Sequence, residues 1–260
     1  MTRRIIMSAD DFGFDEDTVE ATIAAFEAGV IGNTSIMANM PATKLAADYA
    51  AENPQHSYGV HLTFTRDTVE EPVLDGAEVP ALVDENGLFL PGRDAQIRAL
   101  SGRFPTRQIA REMAAQIRRV MDLGVKVDYV DSHKHLHKFP NFRKALPMVL
   151  PQFGISHVRT VQDTFVPEPK KTRPTVLLGG LLRSPIERRW RTTDHFFMGD
   201  GDLTTDWWSE VPIPEHGEVL EVGGHPGTTE AWRAREADQL AKFVARANDA
   251  GAEFIRWRDL

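Results

Sequence analysis

The sequence predicts an α/β fold, a (β/α) barrel of parallel strands that is closed or nearly closed. Three observations carry this. Apolar runs of strand length alternate with longer segments of helical period from Arg4 to Trp257, which implies parallel strands joined by crossover helices. The 260 residues are about the size of one such barrel. No internal repeat, low-complexity tract or linker-like shift divides the chain, so residues 1–260 read as a single catalytic barrel domain. An open doubly wound sheet is the rival architecture. Neither GxGxxG nor GxxxxGK[ST] occurs, so the usual phosphate-cradling turns are missing.

Taken in order, Arg4-Ile5-Ile6-Met7 is a buried strand ending at Asp10-Asp11. Val19, Ile23, Phe26 and Val30 then mark one face of a helix, with Asp15 placed to cap its start. Residues 34–38 form a second strand, 42–52 a second helix, and Tyr58 to Thr63 a third strand. Residues 64–92, rich in Pro, Gly and acidic side chains, read as a long irregular insertion with a small hairpin near Asn86-Gly87, a candidate lid. Ile109, Met113, Ile117 and Val120 define the clearest helix, 106–123, which Pro105 precedes and Gly124 closes. A strand over Val125–Asp131, a helix near 141–152 and a strand over Ile155–Arg159 follow. Residues 160–191 form a second irregular insertion, with Lys170, Lys171, Arg173, Arg183, Arg188, Arg189 and Arg191. A strand over Glu218–Val222 ends in Gly223-Gly224-His225-Pro226-Gly227, a helix spans about 229–248, and Glu253 to Trp257 is the last strand.

Composition narrows the chemistry. The absence of cysteine excludes disulfides, thiolate metal sites, iron–sulfur clusters and cysteine nucleophiles, so any metal must be held by His, Asp, Glu or backbone oxygen. A formal charge of -8 argues against a nucleic-acid partner. The apolar run at the N-terminus stops at Asp10, short of a secretory signal, and no stretch reaches the ~20 apolar residues of a membrane span. A cytoplasmic protein is the expectation.

Acidic and imidazole groups gather at strand ends. Asp10-Asp11, His61, His133 and His225 each close a predicted strand, the edge where α/β barrels carry their active sites. Neighbours on a strand point to opposite faces, so both aspartates reach one site only if the chain turns, which Phe12-Gly13 allows. They read either as a helix cap plus a solvated acid, or as one metal ligand plus one general base. A lone histidine such as His61 in an apolar strand is more often a satisfied core residue than a ligand. The run Asp131-Ser132-His133-Lys134-His135-Leu136-His137 is stronger, because alternate residues share a strand face and so many imidazoles favour a bound cation. The strand ends soon after 131, so not all three histidines bind. His225 before Pro226-Gly227 reads as a turn residue or as a general acid. One carboxylate and two imidazoles with open positions suit a first-row dication, which lowers the pKa of bound water towards ~7. A free carboxylate as base and a free imidazole as acid complete a set for amide or ester hydrolysis.

At these residues the sequence resembles the YdjC-like carbohydrate deacetylases, which include chitooligosaccharide deacetylase. The matching pieces are Ser8-Ala9-Asp10-Asp11-Phe12-Gly13, residues 34–41 (TSIMANMP), Gly59-Val60-His61-Leu62-Thr63, residues 131–140 (DSHKHLHKFP) and His225-Pro226-Gly227, in the family's order over nearly the whole chain. The resemblance implies a distorted barrel related to polysaccharide deacetylases. It implies one divalent ion, Mg²⁺ or Zn²⁺, on Asp11, His61 and His133. Asp10 becomes the general base and His225 the general acid. The implied reaction removes acetyl groups from N-acetylated sugars, by attack of metal-bound water on the amide carbonyl, and a homodimer is expected. His135 and His137 fall to pocket or supporting roles. Arg159 is expected to orient the base or bind substrate. Direct contact between Glu221 and His225 is not expected, since four extended residues span about 13 Å. The basic 160–191 insertion matches no family motif, which keeps two alternatives: a hydrolase of another amide or of a phosphorylated sugar, and a non-catalytic sugar-binding relative.

Overall fold

The computed structural model describes residues 2–166, 182–199 and 201–260. Lys170, Lys171 and Arg173 of the basic insertion lie outside this range. Among the described residues, eight strands form one sheet and every pairing between them is parallel. They are β1 (Arg4–Phe12), β2 (Asn33–Ile36), β3 (Ser57–Leu62), β4 (Val127–Ser132), β5 (His157–Val158), β6 (His195–Met198), β7 (Val219–Gly224) and β8 (Glu253–Phe254). The order is β5-β4-β3-β2-β1-β7-β6, and β8 pairs with the start of β1. The two edges approach each other through a parallel bridge between His157 and Arg191. The result is a distorted barrel.

Period-2 alternation sorts the strands. Ile5, Met7 and Ala9 of β1, Val60 and Leu62 of β3, Val130 of β4 and Leu220 and Val222 of β7 join the large core beneath the helices. Ile6, Tyr129 and Val219 face the other way and pack with Trp257 inside the barrel, where the Tyr129 and Trp257 rings stack at 4.9 Å. Farther along the same inner faces stand Asp10, Ser35, His61, Asp131 and Glu221, all buried. The interior is therefore apolar at its base and charged at the carboxyl ends of the strands.

Helices α1 (Glu16–Glu27), α2 (Thr43–Glu52), α3 (Gly92–Leu100), α4 (Thr106–Asp122), α5 (Pro140–Val149), α6 (Trp207–Glu210) and α7 (Ala231–Asp249) are described. Asp15 caps α1 as expected. Its carboxylate accepts from Thr18 N at 2.8 Å, and Thr18 Oγ1 accepts from Asp15 N at 3.1 Å. The apolar face of α4 is buried, and two buried polar residues on it do positional work. Gln116 bonds both backbone groups of Thr63, fixing the exit of β3. Glu112 accepts from Val73 N and Leu74 N, anchoring the 64–92 segment.

The expected elements recur with shifted ends; α3, β6, the short α6 and the helical residues 182–187, within the segment expected to be irregular, were not expected. The Asn86-Gly87 hairpin is a single antiparallel bridge, Val83 to Phe89. The alternation expected through His137 is not realised. β4 stops at Ser132, and residues 133–138 form a tight 3₁₀ turn with Lys134 and His135 in left-handed backbone. Within β3, Gly59 faces Tyr129 so closely that a Cβ there would lie 2.7 Å from the ring. Gly59→Ala is expected to destabilise the fold by about 1–3 kcal/mol, read from the midpoint of chemical denaturation; unchanged stability would mean that the Tyr129–Trp257 stack is free to shift.

Candidate active site

Asp10 and Asp11 lie in the last three residues of β1, and the turn that lets both serve one site lies at Asp11 itself. Its φ is 63°, uncommon for a residue other than glycine, and the β1–β2 register breaks between Ala9 and Phe12. Gly13, at φ 99°, continues the turn, and a Cβ there would press on Thr43 at 3.1 Å. Both carboxylates thereby line one cavity of about 660 Å³ with His61, His133 and His225. Asp67, Lys134, His135, Lys138, Trp232 and Arg233 also contribute to its wall.

Asp11 is the centre of the first group. Its Oδ1 lies 3.1 Å from His133 Nδ1 and 3.4 Å from His61 Nε2. Its Oδ2 accepts from Arg233 Nη2 at 2.9 Å. The register sets His61 beside Asp131, whose Oδ1 takes the remaining ring nitrogen, Nδ1, at 2.8 Å. Ser35 Oγ bonds both His61 Nδ1 and Asp131 Oδ2. One atom from each of Asp11, His61 and His133 lies within 4.8 Å of the others, a donor set that fits a divalent cation. The backing of His61 by a carboxylate is the usual support of a metal-ligating imidazole. Charge agrees. Burial alone would lower the pKa of His61, yet Asp131 and Asp10 push it up to about 10. Burial raises the pKa of Asp11, but His133 outweighs it and holds Asp11 well below the usual carboxylate range. The cluster attracts positive charge.

Asp10 is gripped from behind. Arg159 Nη1 and Nη2 reach its two oxygens at 2.6 and 2.8 Å. Burial would raise the Asp10 pKa, but the guanidinium outweighs it and holds the group below its usual value. The same guanidinium meets Glu221 at 2.8 Å and Asp131 at 2.7 Å. Arg159 is fully buried, is not part of the cavity lining, and turns its guanidinium to Asp10. His137 is likewise withdrawn. It is fully buried, bonded to Ser132 Oγ at 2.7 Å and to Arg159 O at 3.1 Å, and burial beside Arg159 takes its pKa down to about 3. His135 does reach the cavity wall, its ring edge-on to Phe196.

His225 stands on the opposite wall, just past β7. Glu221 does not touch it. Its carboxylate partner is Glu236, one turn into α7, whose Oε2 is 2.9 Å from His225 Nδ1 and accepts from His225 N at 2.8 Å. Burial would lower the pKa of His225, but Glu236 outweighs it, so the imidazole is held above 6.5. Glu236, Asp67 and Arg233 are site residues that sequence reasoning missed. The strand-end rule does not reach side chains from the following helix or from an irregular loop.

An α/β barrel with paired aspartates and converging imidazoles at its carboxyl rim is a hydrolase-like scaffold. The chain belongs to the YdjC-like protein family, whose model matches residues 4–253. It is 34% identical over 274 residues to a carbohydrate deacetylase of Geobacillus stearothermophilus, an alignment covering 100% of this chain and 98% of that protein. A carbohydrate deacetylase of Brevibacillus brevis is 34% identical over 147 residues, 56% of this chain and 54% of that one. In fold, the chain is similar to a candidate cellobiose-phosphate cleavage protein from Enterococcus faecalis V583, with a TM-score of 0.76, 22% identity and coverage of 100% and 99%.

The His225–Glu236 pair gives a direct test. By NMR titration, His225 is expected to titrate above 6.5, and Glu236→Gln to lower that value by about 1–3 units. An unshifted His225 would detach it from Glu236.

Proposed function

We propose that this protein is a metal-dependent hydrolase that removes acetyl groups from N-acetylated sugars or oligosaccharides. One observation carries the reading: Asp11, His61 and His133 converge in the cavity that also holds Asp10 and His225. The full-length similarity to a carbohydrate deacetylase supports the substrate class. A divalent ion, Mg²⁺ or Zn²⁺, held by Asp11, His61 and His133, would polarise the acetamide carbonyl and acidify water beside it.

The chain's own residues supply the proton steps. Arg159 keeps Asp10 ionised, so Asp10 can take a proton from the water that attacks the carbonyl carbon. A C–O bond forms and the C–N bond breaks. Glu236 raises the pKa of His225 and so favours the imidazolium, which can give a proton to the departing nitrogen. The products are acetate and a free amino sugar. Trp232, 5.6 Å from the His225 ring, offers an apolar wall for a sugar face.

A second reading, an N-acetylated sugar that also carries phosphate, is favoured by Lys138. Lys138 lines the cavity, its ammonium lies over the Phe139 ring with no carboxylate partner among the described residues, and burial lowers its pKa. A panel of neutral and phosphorylated N-acetylated sugars, assayed for acetate release, separates the two.

Asp10→Asn is expected to lower turnover by about 10²–10⁴-fold while elemental analysis finds metal content unchanged. Loss of metal along with activity would reverse the division of roles between Asp10 and Asp11. His133→Ala is expected to empty the metal site, while His137→Ala leaves most of the metal in place. Equal losses would mean a different ligand set.

A further inference from the structure

Resting on that ligand set, we infer that Asp67, in the irregular 64–92 segment, is a positioning residue for the metal site. It fixes the His133 ring from the side opposite Asp11 and makes the segment part of the site. The two imidazoles are treated alike. His61 turns Nε2 to Asp11 and gives Nδ1 to Asp131. His133 turns Nδ1 to Asp11 and gives Nε2 to Asp67 Oδ2 at 2.8 Å. Each ring thus has one nitrogen facing the shared centre and the other on a carboxylate. Such a contact fixes tautomer and ring orientation and makes the facing nitrogen a better donor. The difference lies in where the carboxylate comes from. Asp131 sits on a central strand, whereas Asp67 comes from a connecting segment outside the sheet.

That segment is built to hold Asp67 in place. Glu70, fully buried, accepts from Asp67 N at 3.0 Å and Thr68 N at 2.8 Å, closing a tight turn behind the aspartate. Phe89 N donates to Glu70 O, and Arg66 N to Leu90 O, tying the turn to the far end of the segment. Arg66 pairs with Asp84 at 2.6 Å. From the other side, Lys134 meets Asp67 Oδ1 at 2.5 Å, and does so from left-handed backbone at φ 51°. Strained backbone persists where its surroundings hold it and clusters at functional sites. A buried carboxylate and a left-handed lysine both serve to aim one half-exposed aspartate at His133.

Cobalt(II) is the probe, since it reports ligand geometry without turnover. Binding to the full chain is measured by titration, and exchangeable paramagnetically shifted N–H resonances by proton NMR. The parent protein is expected to show two such resonances, from His61 Nδ1–H and His133 Nε2–H. Asp67→Ala is expected to weaken cobalt binding about 10–100-fold and to lose one of the two by rapid exchange with water. Asp67→Asn, which keeps an acceptor oxygen for Nε2–H, is expected to restore that resonance and part of the affinity. An Asp67→Ala protein that matches the parent in both affinity and resonances overturns the inference. A changed cobalt absorption band in Asp67→Asn would make Asp67 a ligand and overturn it as well. A parent protein that binds no stoichiometric cobalt removes the ligand set itself, a separate failure seen before any Asp67 variant is made.

Discussion

Arg159 carries its guanidinium into the buried mouth of the barrel, where Asp10, Asp131 and Glu221 converge on it from β1, β4 and β7. Buried charges cost several kcal/mol each unless they are paired and fully hydrogen-bonded. Here one cation meets three carboxylates, so the excess negative charge has to be answered nearby. His61, bonded to Asp131 and close to Asp10 and Asp11, stands where that demand falls. The same interaction therefore ionises Asp10 and prepares an electrostatic seat for a positive centre. Glu221, whose pKa burial pushes up despite Arg159, spans the gap to the apolar base through Trp257 Nε1 at 3.4 Å.

The second constraint is conformational. Adjacent residues on a strand cannot look the same way, yet Asp10 and Asp11 both line one cavity. The left-handed conformation at Asp11 resolves the conflict at an order of ~1–3 kcal/mol, and Arg233, stacked on Trp232 at 4.4 Å, holds the turned carboxylate. A left-handed pair, Lys134 and His135, follows the end of β4 in the same cavity. Among the described residues other than glycine, positive φ occurs at these three positions, all of them on the cavity wall.

How much of this was legible beforehand follows from the physics of each signal. Strands β1, β3, β4 and β7 each begin on a largely apolar stretch, because both faces of a parallel sheet are covered; their ends could be read, and with them Asp10, Asp11, His61, His133 and His225. The four-residue β6 lies beyond the long basic insertion, with no helix of clear period before it to mark its place in the alternation. Helix α3, with Arg93, Asp94 and Arg98 among its nine residues, carries too weak an apolar face to stand out from the loop before it. Glu236 and Asp67 left no trace of their roles, since each reaches its histidine through tertiary packing. The burial of His137 follows from the left-handed turn at Lys134 and His135, which an alternating polar pattern does not signal.

Strand order has a bearing on how the molecule assembles. The strand that carries both aspartates lies inside the sheet, and the neighbours on one side of it, β7 and the short β8, belong to the last fifth of the chain. During synthesis this strand leaves the ribosome before the other seven and waits, one edge unpaired, for more than two hundred residues to follow. Long-range parallel pairing of this kind is slow and leaves open edges exposed. Until β7 arrives, the candidate site is half built and that edge of β1 is the surface left open to unwanted pairing.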